Sequence, residues 1–276
     1  MRLRCRYFDL DLSHAAVMGI LNVTPDSFSD GGLWLDPDAA IKHGLEMAEQ
    51  GAAIIDVGGE STRPGAHEVP LDEELRRVMP VIEGLRASSS VTISIDTRKP
   101  EVAAEAVAAG AALINDTAGE ISDRQMDLVA LETGAAICVM HSRGTPATMR
   151  ELTGYEDVVA SVRSFLKMRG NELEALGVDR EAIILDPGIG FAKNPSQNLE
   201  ILRRMDELSA LPWPILVGTS RKSFIGAVLD LPEDQRLEGS LATALAAIGG
   251  GARIVRAHDV AETVRAIRMH EAVHGA

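Results

Sequence analysis

The chain has 276 residues, 46% of them hydrophobic and 25% charged, a composition that excludes a disordered chain and suits one large domain or two ordinary ones. Asp and Glu outnumber Lys and Arg by 41 to 27, for a net charge of −14. That excess argues against general binding to nucleic-acid phosphates or anionic lipid, while leaving room for a local basic pocket.

The N-terminus, Met1-Arg2-Leu3-Arg4-Cys5-Arg6, is basic, but Asp9, Asp11, Ser13 and His14 break up the stretch after it, so it does not read as a signal peptide. No apolar run approaches the ~18 residues of a membrane span. Cys5 and Cys138 form no disulfide framework or zinc spacing and read as reduced thiols, which places the protein in the cytosol. Residues 1–14 are expected to form an extension, a plug or hairpin over one end of the domain that occupies 15–276.

From there short apolar runs recur. They predict strands at roughly 16–23, 53–58, 91–96, 112–115, 135–141, 182–186, 214–218 and 253–257, and their continuous apolar character marks strands buried on both faces. A helical stretch follows each one. Asp36-Pro37 reads as a cap followed by Pro at the first helical position, and Ile41, Leu45 and Ala48 then recur at helical spacing. Lys99-Pro100-Glu101 opens another helix. The phrase Gly-small-small before an apolar run appears at Gly51, Gly110 and Gly134, and in shorter form at Gly251, where Gly past a helix end can take the left-handed conformation. Eight consecutive βα units predict an α/β fold: a single (β/α)8 TIM barrel, with a doubly wound open sheet as the alternative.

Polar residues gather at the strand ends, which in a barrel meet on one face. Asp96, Asn115, Asp186 and Lys222 end four different strands and together offer acceptors, an amide and an ammonium. That set suits a flat heterocycle with alternating N–H and C=O groups, or else a structural ion-pair network under the loops. Arg63, Arg256 and His258 form a cationic group suited to an anion such as a phosphate. Asn22 and Asp26 add hard oxygen atoms that suit Mg²⁺ carried in with a diphosphate. Ser223, at the first turn of the helix after strand seven, is placed for a carboxylate. Phe28, Pro64 and Phe191 come from three loops and can wall a slot for an aromatic ring, although aromatic side chains also anchor loops. Gly188-Ile189-Gly190 begins like a dinucleotide fingerprint but has Lys193 where the third Gly belongs, and 218–223 ends like a phosphate loop without its first Gly; neither motif is complete.

Residues 18–32 (MGILNVTPDSFSDGG) and 56–65 (DVGGESTRPG) resemble the two long signatures of the bacterial dihydropteroate synthases. Ser94-Ile95-Asp96-Thr97, Asn115-Asp116, Asp186-Pro187-Gly188, Ser220-Arg221-Lys222-Ser223 and Arg256-Ala257-His258-Asp259 match that family's later motifs in order, and the likeness runs from about Leu10 to Ala272. It implies an enzyme that condenses 6-hydroxymethyl-7,8-dihydropterin diphosphate with p-aminobenzoate, giving 7,8-dihydropteroate and diphosphate through loss of diphosphate to a pterin cation and attack by the amine. By this resemblance Asp96, Asn115, Asp186, Lys222, Met140 and Gly218 would hold the pterin. Asn22, Thr62, Arg63, Arg256 and His258 would hold the diphosphate, with Mg²⁺ on Asn22. Phe28, Pro64, Phe191, Ser220, Arg221 and Ser223 would line the p-aminobenzoate slot. Asp96, Lys222, Arg63 and His258 would be catalytic. Sulfonamides are expected to compete with p-aminobenzoate, and a homodimer through the late helices is expected, with the Ala/Gly-rich stretch Ser240–Gly251 suited equally to packing on a partner or on its own barrel. The competing readings are a methyltetrahydrofolate–corrinoid methyltransferase-like barrel, which would not need the Arg256/His258 anion site, and a pterin-binding paralogue without catalysis.

Overall fold

The computed structural model describes residues 1–24, 36–61, 65–66, 68–122 and 124–275. Two short strands come first, β1 (Arg2–Cys5) and β2 (Phe8–Asp11), paired antiparallel with Arg2 opposite Asp11. Eight more strands follow: β3 (Ala16–Asn22), β4 (Ile54–Gly58), β5 (Thr92–Thr97), β6 (Leu113–Asp116), β7 (Ala136–Met140), β8 (Ile183–Asp186), β9 (Leu216–Val217) and β10 (Ile254–Ala257). Their order is β8-β7-β6-β5-β4-β3-β10-β9, every pair parallel. A single bridge, Leu185 to Ile215, joins β8 to the β9 edge and closes the ring. This is the (β/α)8 barrel expected of the sequence, and the open sheet is excluded.

The helices α1 (Pro37–Glu49), α2 (Leu71–Ser88), α3 (Pro100–Ala109), α4 (Gln125–Thr133), α5 (Val158–Leu176), α6 (Pro195–Arg203), α7 (Met205–Ser209), α8 (Ser223–Leu229), α9 (Leu237–Gly249) and α10 (Val260–His274) lie between and after the barrel strands. Asp36 caps α1 by accepting a hydrogen bond from the Asp38 N–H at 3.2 Å. The face that α1 buries differs from the expected one: Ala40, Gly44 and Met47 are buried, while Ile41, Leu45 and Ala48 are only partly so. Small residues at the centre of the face explain this. A Cβ on Gly44 would stand 2.7 Å from Leu85 of α2 and 3.3 Å from Leu21 of β3, so the helix sits close and the larger residues flank the contact. Gly110 ends α3 at φ 127°, a conformation that a Cβ would strain.

β9 is far shorter than the predicted strand. Pro212 and Pro214 flank Trp213, and proline contributes no N–H to a ladder. The β8–β9 seam therefore holds through few contacts, among them the Leu185 N–H to Pro214 O bond at 3.0 Å. At the N-terminal ends of the strands the β1–β2 hairpin buries Leu3 and Cys5 completely. Its Arg4 bonds Asp179 and Glu181, just before β8, and Arg6 donates to the Val107 carbonyl.

Candidate active site

The opposite, C-terminal end of the barrel holds a cavity of about 320 Å³. Strand register sets its floor. Asp96 of β5 lies beside Asn115 of β6, and Met140 of β7 beside Asp186 of β8. All four line the cavity, together with Asn22 and Gly218 at the ends of other strands. Lys222 stands at the N-cap of α8 and reaches the same space. The heterocycle group proposed from the sequence is thus brought together from separate strands.

Beneath that floor is a residue the sequence reading passed over. Asp56 of β4 is fully buried. Its Oδ2 accepts from Arg256 Nε at 2.6 Å and from Asn115 Nδ2 at 3.0 Å. Arg256 reaches on to Asp96 Oδ2 at 2.8 Å. One guanidinium therefore serves two buried carboxylates. Burial pushes the Asp96 carboxyl up to about 7; Arg256 pulls it down, while Asp56 and Glu74 add to the rise. Burial likewise raises Asp186, whose Oδ1 accepts from the Gly188 N–H at 2.7 Å. Asn115 Oδ1 is buried without a hydrogen-bond partner, an acceptor aimed at whatever fills the floor. The clue to Asp56 in the sequence was a carboxylate inside the apolar run Ile54-Ile55-Asp56-Val57; alone it reads as strand rather than site. Thr117, whose Oγ1 donates to Asp96 Oδ1 at 3.4 Å, was also missed.

Two members of the cationic group, Arg256 and His258, line the same cavity with different partners. Arg256 joins the carboxylates, whereas His258 pairs through Nδ1 with Ser220 Oγ at 2.9 Å, and its backbone N–H donates to the same oxygen at 3.2 Å. Thr62, Arg63, Pro64, Asp26 and Phe28 lie outside the described residues. Ser220, Arg221, Ser223 and Phe191 line the cavity rim, and Ser223 is the exposed first residue of α8, as expected. Arg221 takes φ 56°. Its backbone N–H donates to Ser240 Oγ at 2.9 Å, its carbonyl accepts from Arg236, and its guanidinium forks onto Asp259. That bracing offsets a backbone conformation costly for a side chain. Lys222 Nζ lies 4.2 Å from the centroid of the Phe191 ring.

Among the described residues no cluster of three or more His, Cys, Asp and Glu could hold a metal. Asn22, at the end of β3, supplies one neutral amide oxygen to the cavity. Such a donor fits a hard cation most of whose ligands are phosphate oxygens and water.

Comparison with known proteins agrees with this arrangement. A family model described as pterin binding enzyme matches residues 18–258. The dihydropteroate synthase of Escherichia coli (strain K12) is 49% identical over 272 residues, covering 99% of this chain and 96% of that protein. The dihydropteroate synthase of Yersinia pestis, solved with a sulfonamide drug complex, superposes with a TM-score of 0.95 at 44% identity over the whole of both chains. The Xanthomonas albilineans dihydropteroate synthase, solved with 4-aminobenzoic acid, gives a TM-score of 0.92 at 44% identity, covering 100% of this chain and 98% of that one.

Proposed function

Because the chain belongs to the dihydropteroate synthases of the pterin binding enzyme family, we propose how its residues divide the work of that reaction. The enzyme joins 6-hydroxymethyl-7,8-dihydropterin diphosphate to p-aminobenzoate, forming 7,8-dihydropteroate and diphosphate for folate synthesis. The convergence of Asp96, Asn115, Asp186 and Lys222 on one cavity carries the assignment.

The pterin lies on the floor. Its N–H groups meet the Asp96 and Asp186 carboxylates and the unpartnered Asn115 Oδ1, and Lys222 donates to its acceptors. Met140 and Gly218 complete the floor. The buried acceptors would otherwise stay unsatisfied, which makes the floor selective for a donor-rich edge. The diphosphate points toward Asn22, His258 and Arg256, and the family resemblance adds Thr62 and Arg63 to its ligands. Asn22 would help hold Mg²⁺ carried with the diphosphate, and the ion would offset part of that charge. The carbon–oxygen bond breaks with its electron pair going to the diphosphate. Arg63 and His258 stabilise that charge, and the Asp96 carboxylate faces the positive pterin. The p-aminobenzoate amine then attacks the exocyclic carbon and sheds its proton. Its ring lies against Phe191, a role the family resemblance extends to Phe28 and Pro64, and its carboxylate meets Ser220, Ser223 and the rim that Arg221 supports. Sulfonamides occupy the same slot.

This reading extends to a cytoplasmic homodimer. Exposed Val228 and Leu229 on α8 and Met269 and Val273 on α10 lie on helices that flank α9, and a second copy would cover them. Light scattering on the purified protein is expected to give twice the 29.4 kDa chain mass.

The test of the site is diphosphate release with both substrates and Mg²⁺, in wild type, Lys222→Ala and Asp96→Ala. Release is expected to match dihydropteroate formation in wild type and to fall by about a hundredfold or more in each variant. Variants that turn over like wild type would remove these residues from the catalytic set.

A further inference from the structure

Behind the cavity wall lies a cluster that the reaction does not use directly. The loop after β8 runs Pro187-Gly188-Ile189-Gly190-Phe191-Ala192, followed by Lys193. Ile189, Gly190 and Phe191 face the cavity, whereas Lys193 does not. The backbone is left-handed at Gly188 (φ 66°), Gly190 (φ 84°) and Ala192 (φ 49°). At Ala192 alone this costs on the order of 1–2 kcal/mol. A loop so folded has no ladder for its N–H and C=O groups, and each needs its own partner.

Lys193 supplies donors. Only 8% exposed and pushed down to about 7 by burial, its Nζ donates to the carbonyls of Gly188 and Phe191, both at 2.9 Å, and of His141 at 3.3 Å. It also lies 3.0 Å from His141 Nδ1. Burial pushes the His141 imidazole down to about 2, so it is neutral and can accept from Lys193 Nζ. From the other side Asn198 of α6, 2% exposed, accepts the Gly190 N–H through Oδ1 at 2.7 Å and donates to the carbonyl of Asn194 at 2.9 Å. The loop is thus gripped at three backbone positions by two buried side chains on its far side.

What the loop carries gives the grip its meaning. Phe191 presents its ring to the Lys222 ammonium. Gly190 lies along the Lys222 stem, where an added Cβ would stand 3.0 Å from Cδ. A shift of about 1 Å in this wall would move Lys222 off the pterin and reshape the p-aminobenzoate slot, loosening the hold on both substrates. We propose that Lys193 and Asn198 are positioning residues of the synthase, clamping loop 187–192 so that Lys222 and Phe191 keep their places in the cavity. The inference rests on the synthase reading and adds to it two residues that touch no substrate.

The experiment compares wild type with Lys193→Met, Lys193→Arg and Asn198→Leu, each assayed for dihydropteroate formation at a temperature where circular dichroism shows it fully folded. Lys193→Met keeps the stem and removes the donors. It and Asn198→Leu are expected to raise the KM of both substrates by about fivefold or more. Lys193→Arg restores donors and is expected to recover part of that loss. If Lys193→Met and Asn198→Leu melt earlier but keep wild-type KM values, the residues only stabilise the fold and the proposal is overturned. Should Lys193→Met fail to fold, Asn198→Leu decides by the same readout. A wild type that makes no dihydropteroate would overturn the synthase reading itself, a result distinct from variants that match an active wild type.

Discussion

Arg256 is shared. Its guanidinium meets Asp56 and Asp96, so truncating one carboxylate leaves the other to balance the charge but orphans the donors aimed at the lost one. Asp56→Ala leaves Arg256 Nε and Asn115 Nδ2 without their acceptor and is expected to destabilise the protein by about 1–3 kcal/mol. A chemical-denaturation midpoint that stays at the wild-type value would contradict this. Asp96 adds a pH dependence. Its carboxyl, raised from 3.8 to about 7 in the folded chain, favours the protonated form. The stability it contributes is therefore full below 3.8 and disappears as pH climbs through about 7. Across that window the unliganded protein should lose stability, and Asp96→Asn should lack this component of the loss. Turnover runs the other way, since facing a cation requires the carboxylate. kcat/KM should rise through about pH 7 in wild type, and the profile of Asp96→Asn should differ from it by that limb. Asp96, Asn115 and Asp186 were legible because each ends an apolar run, and Lys222 because it lies in the short polar loop after one. Asp56 was not, because its importance comes from a pairing with Arg256 across 200 residues, and Lys193 read only as a broken glycine motif.

Elements followed sequence closely wherever one local rule governs them. Strand positions came from apolar runs, and helix starts from cap and proline. The misjudged features depend on neighbours: the buried face of α1 is set by how closely Gly44 approaches Leu85, and β9 is cut short by the prolines beside it. The same closeness governs α5. A Cβ on Gly170 would stand 2.6 Å from the Trp213 ring, whose Nε1 donates to Glu174. Gly170→Ala is therefore expected to cost about 1–3 kcal/mol by overpacking, despite the gain in helix propensity, and to leave KM unchanged. Thermal melting and steady-state kinetics on one preparation would check both halves. The thin seam also has a dynamic consequence. Amides of β9 should exchange with solvent sooner than those of β4 and β5, which pair in register on both sides. Hydrogen exchange read by mass spectrometry that finds β9 equally protected would contradict this.

At the scale of the molecule, the barrel and its polar end could be read from order alone, because eight βα units converge on one face whatever their details. The pairings within that face, such as Arg256 with Asp56 and Asp96, could not, since register and loop path decide which side chains touch. Competition should follow the same layout. A sulfonamide should raise the apparent KM for p-aminobenzoate while leaving kcat unchanged. A fall in kcat without a change in KM would place the inhibitor elsewhere.

The two halves of the cavity also differ in how freely they can change over generations. Asp96, Asn115 and Asp186 are strand residues, and the first two belong to the buried network around Asp56 and Arg256. A mutation there that weakened an inhibitor would also strain the barrel. Ser223 and Phe191 sit at the rim, where a side chain can be exchanged with little damage to the core. Resistance should therefore accumulate at the rim, and a compound confined to the floor should leave a lineage fewer viable ways to escape it.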